Sequence, residues 1–346
     1  MNDIWIRRDR QAGRITLQRP DALNALTYEM CLAIEAALDA WRDDDAIALV
    51  VLQGDGGRAF CAGGDIAEMY RTGRAGDYAY GQTFWADEYR LNRKIYHYPK
   101  PIVSFLQGFT MGGGVGVGCH GSHRVVGESS KIAMPECGIG LVPDVGGSKI
   151  LAEAPGFVGA YLGMSGARMG PADAIFAGFA DLFVLEEEWP EQIETLCQNG
   201  STESLVGGRP QAGVLEGLRD QIDTHFGKAD LQSIRGSLQS DASDFAKSSL
   251  EALNRNAPLS LAVCLDILRR LKQSDVTIEA ALELEYRFTA RSMEHGDFLE
   301  GIRAQIIDKD RCPKWHYQDE DVPEDVVEQM LAPLDGLTLD LGRKGT

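Results

Sequence analysis

The chain has 346 residues, 44% hydrophobic and 25% charged, the proportions of an ordinary globular protein with room for a sizeable core. A formal net charge of −18 argues against nucleic acid as a partner, and no apolar run approaches the ~20 residues needed to span a bilayer. Seven scattered cysteines without a C-x-x-C pair, and six histidines without metal-ligand spacing, point to buried free thiols and no metal. With no apolar signal core at the N-terminus, a cytoplasmic, reducing location is the expectation, with no membrane contact.

In chain order, Ile4–Arg8 and Arg14–Gln18 alternate like a hairpin turning at Gln11-Ala12-Gly13. This stretch carries Arg7, Arg8, Arg10, Arg14 and Arg19 against the single acid Asp9. It reads as a solvated strand edge or as a cationic patch for an anionic ligand. Met30, Ile34, Leu38 and Trp41 fall on one face of a helix that Thr27 would cap. Ala46–Leu52 and Ile102–Leu106 are apolar runs typical of strands buried on both faces, with a helical stretch at 77–96 between them.

The order strand, loop, helix, strand continues to residue 184, an α/β pattern. Beyond it strands disappear. Residues 188–205 suit a helix and a connecting loop, and Ser243–Asn254, Leu259–Lys272 and Val276–Met293 read as successive helices. The tail from Pro313 is expected to wrap over the body. The chain therefore divides into an α/β core over residues 1–185 and a mainly helical region with a tail over 186–346.

The segment Gly108–Gly147 combines the glycines of Met111-Gly112-Gly113-Gly114 with two carboxylates eight positions apart, Glu136 and Asp144. Gly116-Val-Gly118-Cys-His-Gly121 matches a dinucleotide fingerprint in letters only, because the preceding strand ends about ten residues too early. The triplet instead suits a helix entry, where bare N–H groups face an anion; tight helix–strand packing explains three glycines nearly as well. Phe60-Cys61-Ala62-Gly63-Gly64-Asp65 is a second glycine turn before a helix. Two such turns can supply an oxyanion hole for acyl transfer. Taken alone, Asp144 reads as a helix N-cap, Glu136 as a solvated loop residue and Glu88 as part of a solvated helix face.

FCAGGDI, then GGG, then Pro-Glu-x-x-x-Gly resembles the crotonase (enoyl-CoA hydratase/isomerase) superfamily, as does RPDALNAL at Arg19–Leu26. Within it, the pattern is most similar to the 3-hydroxyisobutyryl-CoA hydrolase family. MGGGVG at Met111–Gly116, AMPE at Ala133–Glu136 and GLVPDVGG at Gly140–Gly147 carry that likeness. DEYRLN at Asp87–Asn92, PLSLAV at Pro258–Val263 and EYRF…DFLEGIRA…DKDRCPKW at Glu285–Trp315 extend it over nearly the whole chain.

The resemblance implies a crotonase-like spiral of ββα units with a C-terminal helical region, and an acyl-CoA substrate with no separate cofactor. It implies that the Gly64 and Gly113 N–H groups hold the thioester carbonyl oxygen, that Glu136 and Asp144 are catalytic, and that Glu88 binds substrate together with Gly113, Glu136 and Asp144. It also leaves a homo-oligomer open, since relatives often assemble through C-terminal helices. One departure is pointed. Hydratases place a second glutamate two residues after the triplet, and here that position is Gly116. The expectation is hydrolysis of a short 3-hydroxyacyl-CoA, as in valine breakdown. An enoyl-CoA hydratase or isomerase is the alternative, and a non-catalytic acyl-CoA-binding protein the alternative of another class.

Overall fold

The computed structural model describes residues 3–273, 276–318 and 321–342. It divides into two compact units that interleave along the chain. The first comprises residues up to Asp65, Asp87–Ala133 and Arg168–Val214; the second comprises Ile66–Ala86, Met134–Ala167 and residues from Leu215 on. This grouping follows contacts, whereas the division at residue 185 follows element type, with the last described strand ending at Phe183.

All nine strands of the described residues lie in the first unit. They are β1 (Ile4–Asp9), β2 (Ala12–Leu17), β3 (Leu49–Gly54), β4 (Ala59–Cys61), β5 (Ile102–Phe105), β6 (Phe109–Met111), β7 (His123–Val126), β8 (Lys131–Ala133) and β9 (Leu182–Phe183). They form a six-stranded sheet of order β1-β2-β3-β5-β7-β9 and a three-stranded sheet of order β4-β6-β8. Only β1 and β2 are antiparallel. Each of β3, β5 and β7 in the larger sheet is followed by a short strand of the smaller one and then by helix. That is the expected spiral of ββα units. The three-residue strands β4, β6 and β8 are too short for periodicity to reveal, so they read as loop in the sequence.

Strands β3 and β5 read as continuous apolar runs because a parallel sheet is covered on its faces. Leu49, Val51, Val103, Phe105 and Val125 pack with Trp189 and Leu196 of the helix Trp189–Asn199, the Phe105 and Trp189 rings lying 5.2 Å apart. The predicted strand at Ala46 begins instead at Leu49, because Asp44 Oδ1 accepts from Ala46 N and holds a turn there. The hairpin turn also differs. Arg10 adopts φ 54° and turns the chain with Gln11, while Ala12 and Gly13 belong to β2. Gly13 serves packing: a Cβ there would sit 2.3 Å from the Trp41 ring. Thr27 caps the helix Tyr28–Arg42 as expected, its hydroxyl accepting from Met30 N at 3.2 Å.

The second unit is helical among the described residues. Its helix Pro258–Lys272 buries ten side chains, among them Leu261, Cys264 and Leu268, on more than one face, which marks it as the central helix of the unit. Sequence patterning anticipates this helix, Asp244–Arg255 and Ile278–His295, capped by Ser243 and Thr277 in the latter two. It misses Val158–Ser165, Leu215–Phe226 and Leu231–Gln239, whose apolar stripes are short or glycine-broken. In the tail, the helix Glu324–Leu331 ends on arginines. Arg291 donates to the Ala332 and Pro333 carbonyls at 2.8 and 2.9 Å, and Arg287 to Leu331 O at 3.1 Å, satisfying carbonyls that a helix end leaves unpaired. Residues 319–320 and 343–346 of the predicted tail lie outside the described residues.

Candidate active site

In the first unit, β4 and β6 are parallel neighbours, so the turns leaving their C-terminal ends emerge side by side. The turn after β4 carries Gly63 and Gly64. The turn after β6 carries Gly112, at φ 49°, and Gly113, which opens the helix Gly113–Gly118. The chain at Leu26 fixes the first turn from the other side: Leu26 N donates to Gly63 O at 2.9 Å, and Asp65 N to Leu26 O at 2.8 Å. A Cβ added to Gly113 would lie 3.5 Å from Gly64 N and 2.8 Å from Glu88 Oε1. Gly64, Gly113 and Glu88 therefore surround one small volume. Neither glycine N–H donates to a backbone carbonyl in the turns and loops of the described residues.

Glu88, on the helix Ala79–Tyr96, is 4% exposed, which corrects its reading as part of a solvated helix face. Burial also acts on the nearby thiols. Burial holds Cys31 well above the ordinary thiol range and pushes Cys61 up to about 12. Six of the seven cysteines are buried and free, and Cys312 is exposed.

The two remaining predicted carboxylates lie in the second unit. Glu136 starts a 3₁₀ turn, Glu136–Ile139, which ends at Gly140 with φ 76°. That turn is pinned from two directions. Ala257 N donates to Cys137 O at 2.9 Å, and Gly140 packs so closely on the Asp297 backbone that a Cβ would meet it at 2.5 Å. Glu136 is buried, which corrects its reading as a solvated loop residue, and its Oε2 has no hydrogen-bond partner among the described residues. Burial first, and the neighbouring Asp144 second, raise its carboxyl well above the usual carboxylate range. A hydrogen bond from its own backbone opposes the rise, and Cys264 and Glu285, a thiol and a third acid, add to it.

Asp144 is buried close to Glu136 but does not cap the helix that follows. The cap position of Gly147–Glu153 is Gly146, and the capping carboxylate comes from Glu285. Its oxygens accept from Gly146 N at 2.8 Å, Ser148 N at 3.1 Å and the Ser148 hydroxyl. Sequence reasoning gives Glu285 no role. The available signal is a glutamate set within the apolar face of Ile278, Leu282 and Tyr286. An acid at such a position needs donors, and here they come from the 146–148 turn.

The structure thus groups Gly64, Gly113 and Glu88 in one unit and Glu136, Asp144 and Glu285 in the other. Gly116, inside the helix Gly113–Gly118, contributes no side chain. The predicted cationic N-terminus is largely engaged: Arg7 and Arg14 pair with Asp9 at 3.4 and 3.0 Å, Arg10 with Glu194, and Arg19 with Asp65 at 2.9 Å.

Residues 12–331 match the family model described as Enoyl-CoA hydratase/isomerase. The chain belongs to the enoyl-CoA hydratase/isomerase family. Among solved structures, an enoyl-CoA hydratase from Rhodobacter sphaeroides 2.4.1 is 54% identical with a TM-score of 0.94, over 96% of this chain and 98% of that one. A carnitinyl-CoA dehydratase from Mycobacterium thermoresistibile has the same TM-score at 38% identity, covering 99% and 100%. Curated relatives include the mitochondrial 3-hydroxyisobutyryl-CoA hydrolases of Xenopus tropicalis and Homo sapiens. Each is 38% identical, over 95% and 88% of this chain and 89% and 81% of theirs. The relatives thus carry names for hydration or dehydration as well as for hydrolysis. The mitochondrial names give the cytoplasmic expectation no support. Among the described residues no helix is long and apolar enough to cross a membrane.

Proposed function

We propose that this chain hydrolyses short 3-hydroxyacyl-CoA thioesters, 3-hydroxyisobutyryl-CoA foremost, releasing the hydroxy acid of valine breakdown and free CoA. The observation that carries the reading is Gly116: the helix after the glycine triplet has no carboxylate where hydration would use a second glutamate, while the buried pair Glu136 and Asp144 is retained. The hydrolase names of the curated relatives support the same choice.

In this reading the Gly64 and Gly113 N–H groups polarise the thioester carbonyl and stabilise the oxyanion, each donor contributing about 3–4 kcal/mol to the transition state. Glu136, once ionised, either removes a proton from water as it attacks, or attacks the carbonyl itself with loss of the thiolate, giving an anhydride that water cleaves. Asp144 orients the substrate hydroxyl or the water, or supplies a proton to the leaving thiolate. Glu88 binds substrate beside Gly113. Because the N-terminal arginines are mostly paired, the exposed Lys309, Arg311 and Lys314 are the better candidates for the CoA phosphates.

Two measurements separate the readings. Crotonyl-CoA is expected to keep its conjugated absorbance while 3-hydroxyisobutyryl-CoA releases thiol; loss of that absorbance without thiol would favour a hydratase. Single turnover in ¹⁸O-labelled water separates the two mechanisms, since label entering the Glu136 carboxylate requires the anhydride.

A further inference from the structure

The turn that carries Asp144 adopts a backbone its sequence does not favour. Val145 has φ 54° and Gly146 has φ 78°, two successive residues in the left-handed region. Glycine takes that conformation freely; a β-branched residue there is an outlier that persists only where the surroundings impose it. Val145 is also buried, at 1% exposed. The turn closes with Gly147 N donating to the Asp144 carbonyl at 2.7 Å, so the direction of the Asp144 side chain depends on this backbone.

The residues that follow Val145 are held by a carboxylate from a segment 139 residues further along the chain. Glu285 is fully buried on the helix Ile278–His295, and it accepts from Gly146 N on one oxygen and from Ser148 N and the Ser148 hydroxyl on the other. Those donors straddle Gly147. The helix itself could have been capped by a serine or aspartate at position 146. A glycine stands there instead, and the acceptor is a rigidly mounted acid that also holds the turn.

We propose that Glu285 is a positioning residue for the reaction, fixing Asp144 through the Val145–Ser148 backbone. The proposal rests on the reading of Glu136 and Asp144 as the reacting pair and adds a third acid that touches no substrate. Burial raises the Glu285 carboxyl to about 8 against the pull of Ser148 and the two N–H donors, with Asp144 the acid that faces it. Once ionised, it adds to the charges that raise Glu136.

The test compares Glu285→Gln, Glu285→Asp, Ser148→Ala and Glu136→Gln by steady-state thiol release across pH, with melting temperature as the control for folding. In Glu285→Gln an amide N–H₂ replaces one acceptor and opposes a donor of the turn. A plateau kcat about 10–100-fold lower is expected, with KM within about threefold. The acid limb of the pH profile should move to lower pH, and Glu285→Asp should recover part of the rate. A folded Glu285→Gln enzyme with wild-type kcat and an unmoved acid limb would overturn the positioning role. If Glu285→Gln does not fold, Ser148→Ala carries the test: about three- to tenfold lower kcat is expected, and unchanged kcat overturns the proposal. Loss of activity in Glu136→Gln with full activity in Glu285→Gln removes only the positioning role. Full activity in Glu136→Gln removes the reading beneath it as well.

Discussion

Glu136→Gln is expected to lower thioester cleavage by about 10²–10⁴-fold, the range of a positioned acid or base, while leaving acyl-CoA binding measurable. The change is close to isosteric, so the turn held by Ala257 and Gly140 should persist. A variant retaining more than about a tenth of the wild-type rate would take Glu136 out of the chemistry. The same group sets the pH dependence. As base or nucleophile it works only when ionised, and burial with Asp144 nearby raises its pKa above the ordinary 4.5. The wild-type kcat/KM should therefore rise tenfold per pH unit on an acid limb lying above pH 4.5, and Gln should abolish that limb. Stability moves the other way. A carboxyl whose folded pKa is raised stabilises the fold relative to its ionised form below its unfolded pKa, and that contribution is lost as pH rises through the folded value. Glu136→Gln should accordingly melt above the wild type at pH 8, with the gap closing toward pH 4.5.

Gly113→Ala and the adjacent Gly114→Ala should fail in different ways. At Gly113 the new methyl enters the volume between Gly64 N and Glu88 Oε1, 3.5 and 2.8 Å away, and the closer of the two is the mobile end of a side chain. The fold should tolerate it, while kcat/KM falls about 10²–10³-fold as the oxygen is kept from its donors. At Gly114 the methyl would lie 2.1 Å from the Cys61 carbonyl oxygen, a backbone atom that ends β4. That strand must shift, and the expected cost is about 1–3 kcal/mol of unfolding free energy. Rates measured on folded enzyme, set against denaturant midpoints, separate the two. If Gly113→Ala lost stability and kept its rate, the triplet would be a packing device and not an oxyanion site.

Sequence patterning locates the elements that long-range burial writes into composition. β3 and β5 appear as apolar runs, and Thr27 marks a helix start by cap chemistry. The second sheet is invisible because its strands β4, β6 and β8 are three residues each, and the motif FCAGGDI hides one of them. For the site, residue types and their order suggest the glycines and acids. Their burial is not legible, because the neighbours that surround Glu88 and Glu136 arrive from distant segments. Asp144 misleads for the same reason: a helix does follow it, but the cap is supplied from Glu285, 139 positions away in sequence from Gly146.

The central claim is cleavage of the C–S bond by a family member that lacks the second hydration carboxylate at Gly116. Thiol release across a panel of short acyl-CoAs tests it most directly. Stoichiometric free thiol is expected from 3-hydroxyisobutyryl-CoA, with similar behaviour toward 3-hydroxypropionyl-CoA, since one methyl group changes discrimination by only about 1–3 kcal/mol. No thiol from any member of the panel, together with water addition to crotonyl-CoA, would contradict it.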